Sequence, residues 1–275
     1  MIPRFTTPVH ITEDIILGGD RLVVFAGPCS IEEESLTLRI AEDVKAMGEK
    51  LDIDVVFKAS YDKANRTSVS SFRSAGLDEG LRILSRVNKE VGLPTITDVH
   101  ESTQVPQVAE VVDVLQIPAF LCRQTDLLMA AGASGRAVNI KRGQFMAARD
   151  MRFAVEKVRA AGGTNVFLTE RGVTFGYHDL VVDMRSFPIM REFTPVVYDV
   201  THSIQQPGAN DGSSGGARWL AAPLAQGAVA VGVDGLFFET HPDPDNALSD
   251  GPNMIPTAEL PKVLEKLKRI WEVAR

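Results

Sequence analysis

Residues 235–240 read GLFFET: a glycine, three apolar side chains and then a carboxylate at Glu239. A run this short, apolar and abruptly ended has the character of a strand buried on both faces. Comparable runs precede it at 22–26, 55–59, 95–99, 114–117, 137–141, 165–169 and 196–200. Helical spacing fills the gaps between them. Ile40, Val44, Met47 and Leu51 recur on one face, as do Leu77, Leu81 and Leu84, and later Ala154, Val155, Val158 and Ala161. A last helix is expected over 260–273, with Pro261 in its first turn, where proline is tolerated. Alternating strand and helix predicts a parallel sheet, and eight such units predict closure. The expected fold is therefore α/β, a single (β/α)8 TIM barrel; a doubly wound open sheet is the structural rival. The stretch 9–19, with Val9, Ile11 and 15–17 before Gly18-Gly19, suggests a short N-terminal β-hairpin within an extension of about residues 1–20.

Composition sets bounds on partners. The 275 residues suit one barrel, and neither a linker nor a repeat divides them, so residues 1–275 are expected to form one domain. A net charge of −7 argues against nucleic acid as the main partner. It leaves room for a small anion, because a local basic cluster overrides the global sign. Two cysteines, Cys29 and Cys122, make no disulfide framework, so a reducing, cytoplasmic setting is expected. The first thirty residues show no basic stretch leading into an apolar core, and no run approaches the ~20 residues that span a bilayer. No membrane association is expected.

In a closed parallel barrel the strand ends share one rim, where such enzymes keep their chemistry. Cys29 follows the first run in FAGPCS, His202 the seventh in DVTHS, and Glu239 ends the eighth; Asp250 lies eleven positions further on. A thiolate, an imidazole and two carboxylates form a plausible mixed set for a divalent metal ion, with Fe²⁺, Zn²⁺, Mn²⁺ and Co²⁺ all suited. The plainer reading is a structural cysteine, a hydrogen-bonding histidine and surface acids. Cys122 has no such companions and reads as core.

The same rim carries cations. Lys58 ends the second run, Lys63 opens KANRTS, Lys141 ends the fifth run and Arg171 follows the sixth. Lysines this close to buried strands are costly unless paired or bound to an anion. Together they suit a ligand bearing phosphate and carboxylate. Singly, each can be a salt bridge to Glu170, Asp98 or Glu239, and one such lysine, Lys58, can also form a Schiff base. Two long connections follow strands. The first, 203–216, holds the weak glycine-rich signal GANDGSSGG and suggests a mobile lid; the second is 240–256. His100 is expected near the rim beside Asp98, His10 at the surface, and His178 and His241 in polar loops. Glu32-Glu33-Glu34 reads as an acidic first helical turn.

The runs FAGPCSIE, FKASYDKANRTS, TDVHE, QIPAFLCRQTDLL, NIKRGQF, LTERG, DVTHS and HPDPDNALSDGP, spanning about residues 24–253, resemble the 3-deoxy-D-manno-octulosonate 8-phosphate synthases. KANRTS is the most specific of them. The related DAHP synthases usually show a KPR-type run there, so Asn65 favours D-arabinose 5-phosphate over erythrose 4-phosphate as acceptor. The resemblance implies a homotetrameric barrel that condenses phosphoenolpyruvate with D-arabinose 5-phosphate, on the route to lipopolysaccharide. It also implies the metal-dependent class: Cys29 stands where metal-free members carry Asn, with His202, Glu239 and Asp250 as the other ligands and Ser249 in keeping. Carried over by position, Lys141 and Arg171 resemble the phosphoenolpyruvate phosphate ligands, and Lys58 and Lys63 the groups near its carboxylate and reacting carbons. Asn65, Arg66 and Thr67 resemble the sugar-phosphate site, Thr67 replacing a usual Ser. Asp98 resembles a ligand of the sugar hydroxyls, and Gln116 falls among the rim contacts. Lys63, His202 and Asp250 are the candidates for proton transfer.

Overall fold

A computed structural model of the chain describes residues 7–65, 68–210 and 213–274. Its centre is eight parallel strands: β1 (Val23–Gly27), β2 (Asp54–Lys58), β3 (Thr95–Asp98), β4 (Val114–Ile117), β5 (Ala137–Lys141), β6 (Val166–Glu170), β7 (Val196–Asp199) and β8 (Gly235–His241). Each pairs with its sequence neighbour, and β8 pairs with both β7 and β1, so the sheet closes. The helices α1 (Glu34–Leu51), α2 (Leu77–Arg86), α3 (Val105–Ala109), α4 (Thr125–Ala133), α5 (Met151–Ala160), α6 (Ser186–Arg191), α7 (Ala221–Val231) and α8 (Leu260–Ala274) alternate with the strands. The expected (β/α)8 barrel is the observed fold, and the open sheet is not.

Two apolar layers hold it. Outward strand residues such as Val24, Val55, Leu115 and Leu168 pack on the buried helix faces, including Ile40, Val44 and Met47 of α1. Inward residues form a separate core from Val23, Phe25, Val56, Ile96, Val114, Ala137, Phe167, Val197 and Phe237. The N-terminal hairpin, Val9–His10 against Ile16–Leu17, closes the bottom of that core with Val9, Ile11 and Leu17. Close approach matters at Gly27. A Cβ there would lie 2.1 Å from the Lys58 carbonyl oxygen, so only glycine lets the end of β1 meet the end of β2.

Side chains alternate along a strand with period two, and this builds the site. Two residues above the inward apolar layer stand Lys58 above Val56, Asp98 above Ile96, Gln116 above Val114, Asp199 above Val197 and Glu239 above Phe237. The barrel is thus apolar below and charged at its C-terminal mouth.

Two expectations about loops are corrected. The stretch 203–216, read only as a glycine-rich connection, has regular structure: Gln205–Asn210 pairs antiparallel with Ser213–Gly216 in a hairpin. His241 is not in a polar loop but ends β8, buried, because β8 continues to pair with Ile255–Pro256. His10 is exposed and Cys122 is buried, as expected; of Glu32-Glu33-Glu34, expected as a first helical turn, only Glu34 lies in α1, with Glu33 at its N-cap and Glu32 accepting from the Leu248 amide at 3.0 Å instead.

Candidate active site

One cavity of about 820 Å³ opens at the C-terminal mouth. Cys29, Lys58, Lys63, Asn65, Asp98, Gln116, Lys141, Arg171, His202 and Asp250 all line it. Glu239, wholly buried, reaches its floor through Lys58. Every described site residue anticipated from the sequence is therefore brought together; Arg66 and Thr67 lie outside the described residues.

Cys29, Glu239 and Asp250 offer ligand atoms that all lie within 4.8 Å of one another. His202 stands just outside that tight group, yet its Nε2 is 3.5 Å from Glu239 Oε1 and 3.5 Å from Asp250 Oδ2. Its Nδ1 lies 2.8 Å from Asp199 Oδ2. A carboxylate at that distance holds a proton on Nδ1 and turns Nε2 toward the two acids, the orientation a metal ligand needs. Asp199 itself is fully buried and also binds Lys141 at 2.6 Å. Glu239 gives Oε1 to Lys58 at 2.8 Å, while its Oε2 is buried with no hydrogen-bond partner among the described residues. Such an orphaned carboxylate oxygen next to a thiol and an imidazole fits a divalent cation. Burial, reinforced by Glu239, pushes the Cys29 thiol up to about 12. Its Sγ lies 2.8 Å from Ser249 Oγ. Asp250 sits in the left-handed region at φ 57°, an uncommon conformation for a residue with a side chain.

Burial alone would raise Glu239, but Lys58, then His202, Lys63 and Lys141, outweigh it and hold the carboxyl below the usual range. Asp98 is likewise held down against burial by Lys58 and Lys63, and Asp199 by His202 and Lys141. Lys58 therefore does meet Glu239, the plainer partner named for it, and donates as well to the Cys29 carbonyl at 3.1 Å. Glu170 is taken by Arg142, a residue the sequence did not single out. The Lys141 ammonium lies 4.3 Å over the Phe237 ring, and burial lowers its pKa against the pull of Asp199. Arg171 is buried; its Nη2 donates to Gln205 Oε1 at 2.9 Å, and its Nη1 has no partner among the described residues.

The opposite wall is a polar ladder around the barrel. Ser60 donates to Asp98 at 2.8 Å, Gln116 to Asp98, Asn139 to Gln116 at 3.0 Å, and Thr169 to Asn139 at 2.7 Å. Lys63 donates to Ser60 at 3.0 Å. Beside it, His100 Nδ1 and Gln144 Oε1 are buried at the cavity without partners among the described residues, so both can take hydroxyl groups of a ligand. Asn139, Gln144, Thr169, Asp199 and Gln205 were missed in the sequence. The period-two rule, counted on from the inward apolar residues, would have found Asn139, Thr169 and Asp199.

Comparison with known proteins bears on this arrangement. The DAHP synthetase I family matches residues 6–274. The chain belongs to that family. Among its relatives, a 2-dehydro-3-deoxyphosphooctonate aldolase from Trichlorobacter lovleyi is 56% identical over 94% of this chain and 95% of its own. Proteins with the same name from Geobacter metallireducens and a Synechococcus strain are each 56% identical, covering 95% and 92% of this chain and 97% and 90% of their own lengths. In this family member a cation-lined mouth stands next to a cluster of thiol, imidazole and carboxylates.

Proposed function

We infer that the chain condenses phosphoenolpyruvate with D-arabinose 5-phosphate and water, giving 3-deoxy-D-manno-octulosonate 8-phosphate and inorganic phosphate. The observation that carries this reading is the meeting of three buried cations, Lys58, Lys141 and Arg171, with the Cys29, His202, Glu239 and Asp250 cluster in a single cavity. The octonate name of the relatives supports it over a DAHP synthase using erythrose 4-phosphate.

Phosphoenolpyruvate is an enol phosphate, so its C3 is a latent nucleophile for the aldehyde carbon of the open-chain sugar. Positive character then develops at C2, water adds there, and the hemiketal phosphate expels phosphate by C–O cleavage. Both substrates are anions and repel each other. Arg171 and Lys141 hold the phosphate of phosphoenolpyruvate, with Arg171 Nη1 free to donate. Lys58 and Lys63 face its carboxylate and reacting carbons. Asn65, Arg66 and Thr67 receive the sugar phosphate, while Asp98 and Gln116 orient its hydroxyls. Fixed charge of this kind lowers the barrier through alignment and preorganisation. Proton transfer falls to Lys63, His202 or Asp250.

Cys29, His202, Glu239 and Asp250 would hold the divalent ion, Fe²⁺, Zn²⁺, Mn²⁺ or Co²⁺. When bound it supplies electrophilic polarisation and orientation of a substrate oxygen. Lys58, locked between Glu239 and the Cys29 carbonyl, is a positioning group in this reading and not a Schiff-base former. Borohydride in the presence of both substrates should trap no adduct.

On the same reading residues 1–275 are one catalytic domain, acting in the cytoplasm as a homotetramer with small-molecule substrates alone. No helix among the described residues is long and apolar enough to cross a membrane. Phe145, Phe175, Tyr177 and Trp219, all exposed in the connections that follow strands at the C-terminal end of the barrel, favour a self-association surface there.

The deciding experiment assays phosphate release with arabinose 5-phosphate and with erythrose 4-phosphate, before and after chelation, with elemental analysis of the protein. The expected result is strong preference for the pentose phosphate and loss of turnover with the metal. Preference for the tetrose phosphate would overturn the acceptor assignment. Full activity in a metal-free preparation would overturn the metal.

A further inference from the structure

Gln205 joins the two halves of the site. It begins the hairpin after β7, and its side chain is held at both ends. Nε2 donates to Asp250 Oδ2 at 2.5 Å, and Oε1 accepts from Arg171 Nη2 at 2.9 Å. A carboxylate on one side and a guanidinium on the other allow the amide only this orientation. Asp250 Oδ2 is also the oxygen that lies 3.5 Å from His202 Nε2. The Arg171 nitrogen that Gln205 leaves free, Nη1, is the one buried without a partner among the described residues. Gln205 thus stands between one group offered to a cation and one offered to an anion.

The backbone ties the same two regions. Gln205 pairs with Gly216 at the base of the hairpin. Asn253, in the turn after Asp250, donates to the Gly215 carbonyl at 3.4 Å. A Cβ on Gly216 would fall 1.7 Å from Asn253 Oδ1, so the hairpin base and the Asp250 turn pack with no room between them. Arg218, just past the hairpin, donates to the Gly251 carbonyl at 2.7 Å. Arg171 and Asp250 are therefore joined through one amide, and the hairpin that carries it packs tightly on the Asp250 turn.

The geometry points to Gln205 as a positioning residue that couples occupancy of the Arg171 anion site to the affinity of the Asp250 cation site. This rests on the metal and phosphate assignments of the proposed function. Coupling of this sort is reciprocal: the anion tightens the metal by the factor by which the metal tightens the anion. Gln205→Met keeps the length and volume of the side chain and removes both hydrogen bonds, so it separates the link from the packing.

The test titrates the chain with Co²⁺, following the thiolate-to-cobalt absorption, with and without saturating phosphoenolpyruvate. Thermal melting of the metal-free Q205M protein shows that it is folded. In the native protein, phosphoenolpyruvate is expected to tighten Co²⁺ by about fivefold or more, the lower end of ordinary coupling. In Q205M the two affinities should become independent, with a ratio near one. A Q205M protein that binds each ligand more weakly but keeps the native ratio would assign Gln205 a merely structural role and overturn the inference. So would a native ratio of one. A native chain that takes up no Co²⁺ at all would instead sink the underlying metal reading, and this inference with it.

Discussion

Cys29 is the residue on which the chemistry of the site turns. Without a cation its thiol stays protonated, since burial and Glu239 raise it to about 12. A metal ligand must be a thiolate, so binding must expel that proton. The sign follows: below about pH 12 the affinity should climb with pH, by up to roughly tenfold per unit from this one group. Competition titrations between pH 6 and pH 8 would show it; a flat profile would remove Cys29 from the ligand set. Cys29→Asn should lose most metal affinity and retain part of the activity, and unchanged metal content in that variant would have the same meaning. Lys141→Ala should raise the KM for phosphoenolpyruvate more than that for arabinose 5-phosphate, because the proposed function gives its ammonium to the phosphate of phosphoenolpyruvate. The reverse split would reassign it.

At the scale of elements, strand alternation and one glycine do most of the placing. Gly27 lets β1 and β2 close up where Cys29 and Lys58 enter the site. Gly27→Ala should destabilise the chain by about 3 kcal/mol or more, since a new Cβ would meet backbone and not a movable side chain. Urea unfolding measures this, and a loss under about 0.5 kcal/mol would show that the strands part freely. The hairpin 205–216 read as a flexible glycine-serine loop because composition reports conformational freedom and not pairing partners. The base of the hairpin packs on the Asp250 turn, which lies far along the chain.

For the whole molecule, three buried carboxylates at the barrel mouth, Asp98, Asp199 and Glu239, are held below their ordinary range by surrounding cations. Each contributes stability that is fully present above the unfolded carboxylate value of about 4. It is lost as the pH falls from there toward the lower folded value. Acid unfolding is therefore expected to begin below about pH 4 to 5, and Asp199→Asn should flatten the dependence. An identical acid limb in that variant, followed by circular dichroism, would show that Asp199 is not held down. Sedimentation of the native protein checks the tetramer, with a concentration-independent monomer as the contrary result.

The barrel was legible in the sequence because short buried strands between amphipathic helices leave a local pattern, repeated eight times over. The rim residues were legible for a related reason: Lys58, Lys141, Glu239 and Cys29 break that pattern at or just past the end of an apolar run. What the linear order does not encode is which charge faces which. Only the folded sheet brings Lys141 to Asp199, gives Glu170 to Arg142, and sets Gln205 between Arg171 and Asp250. Pairings of that kind depend on distances between groups tens of residues apart, and those distances exist only once the chain has folded.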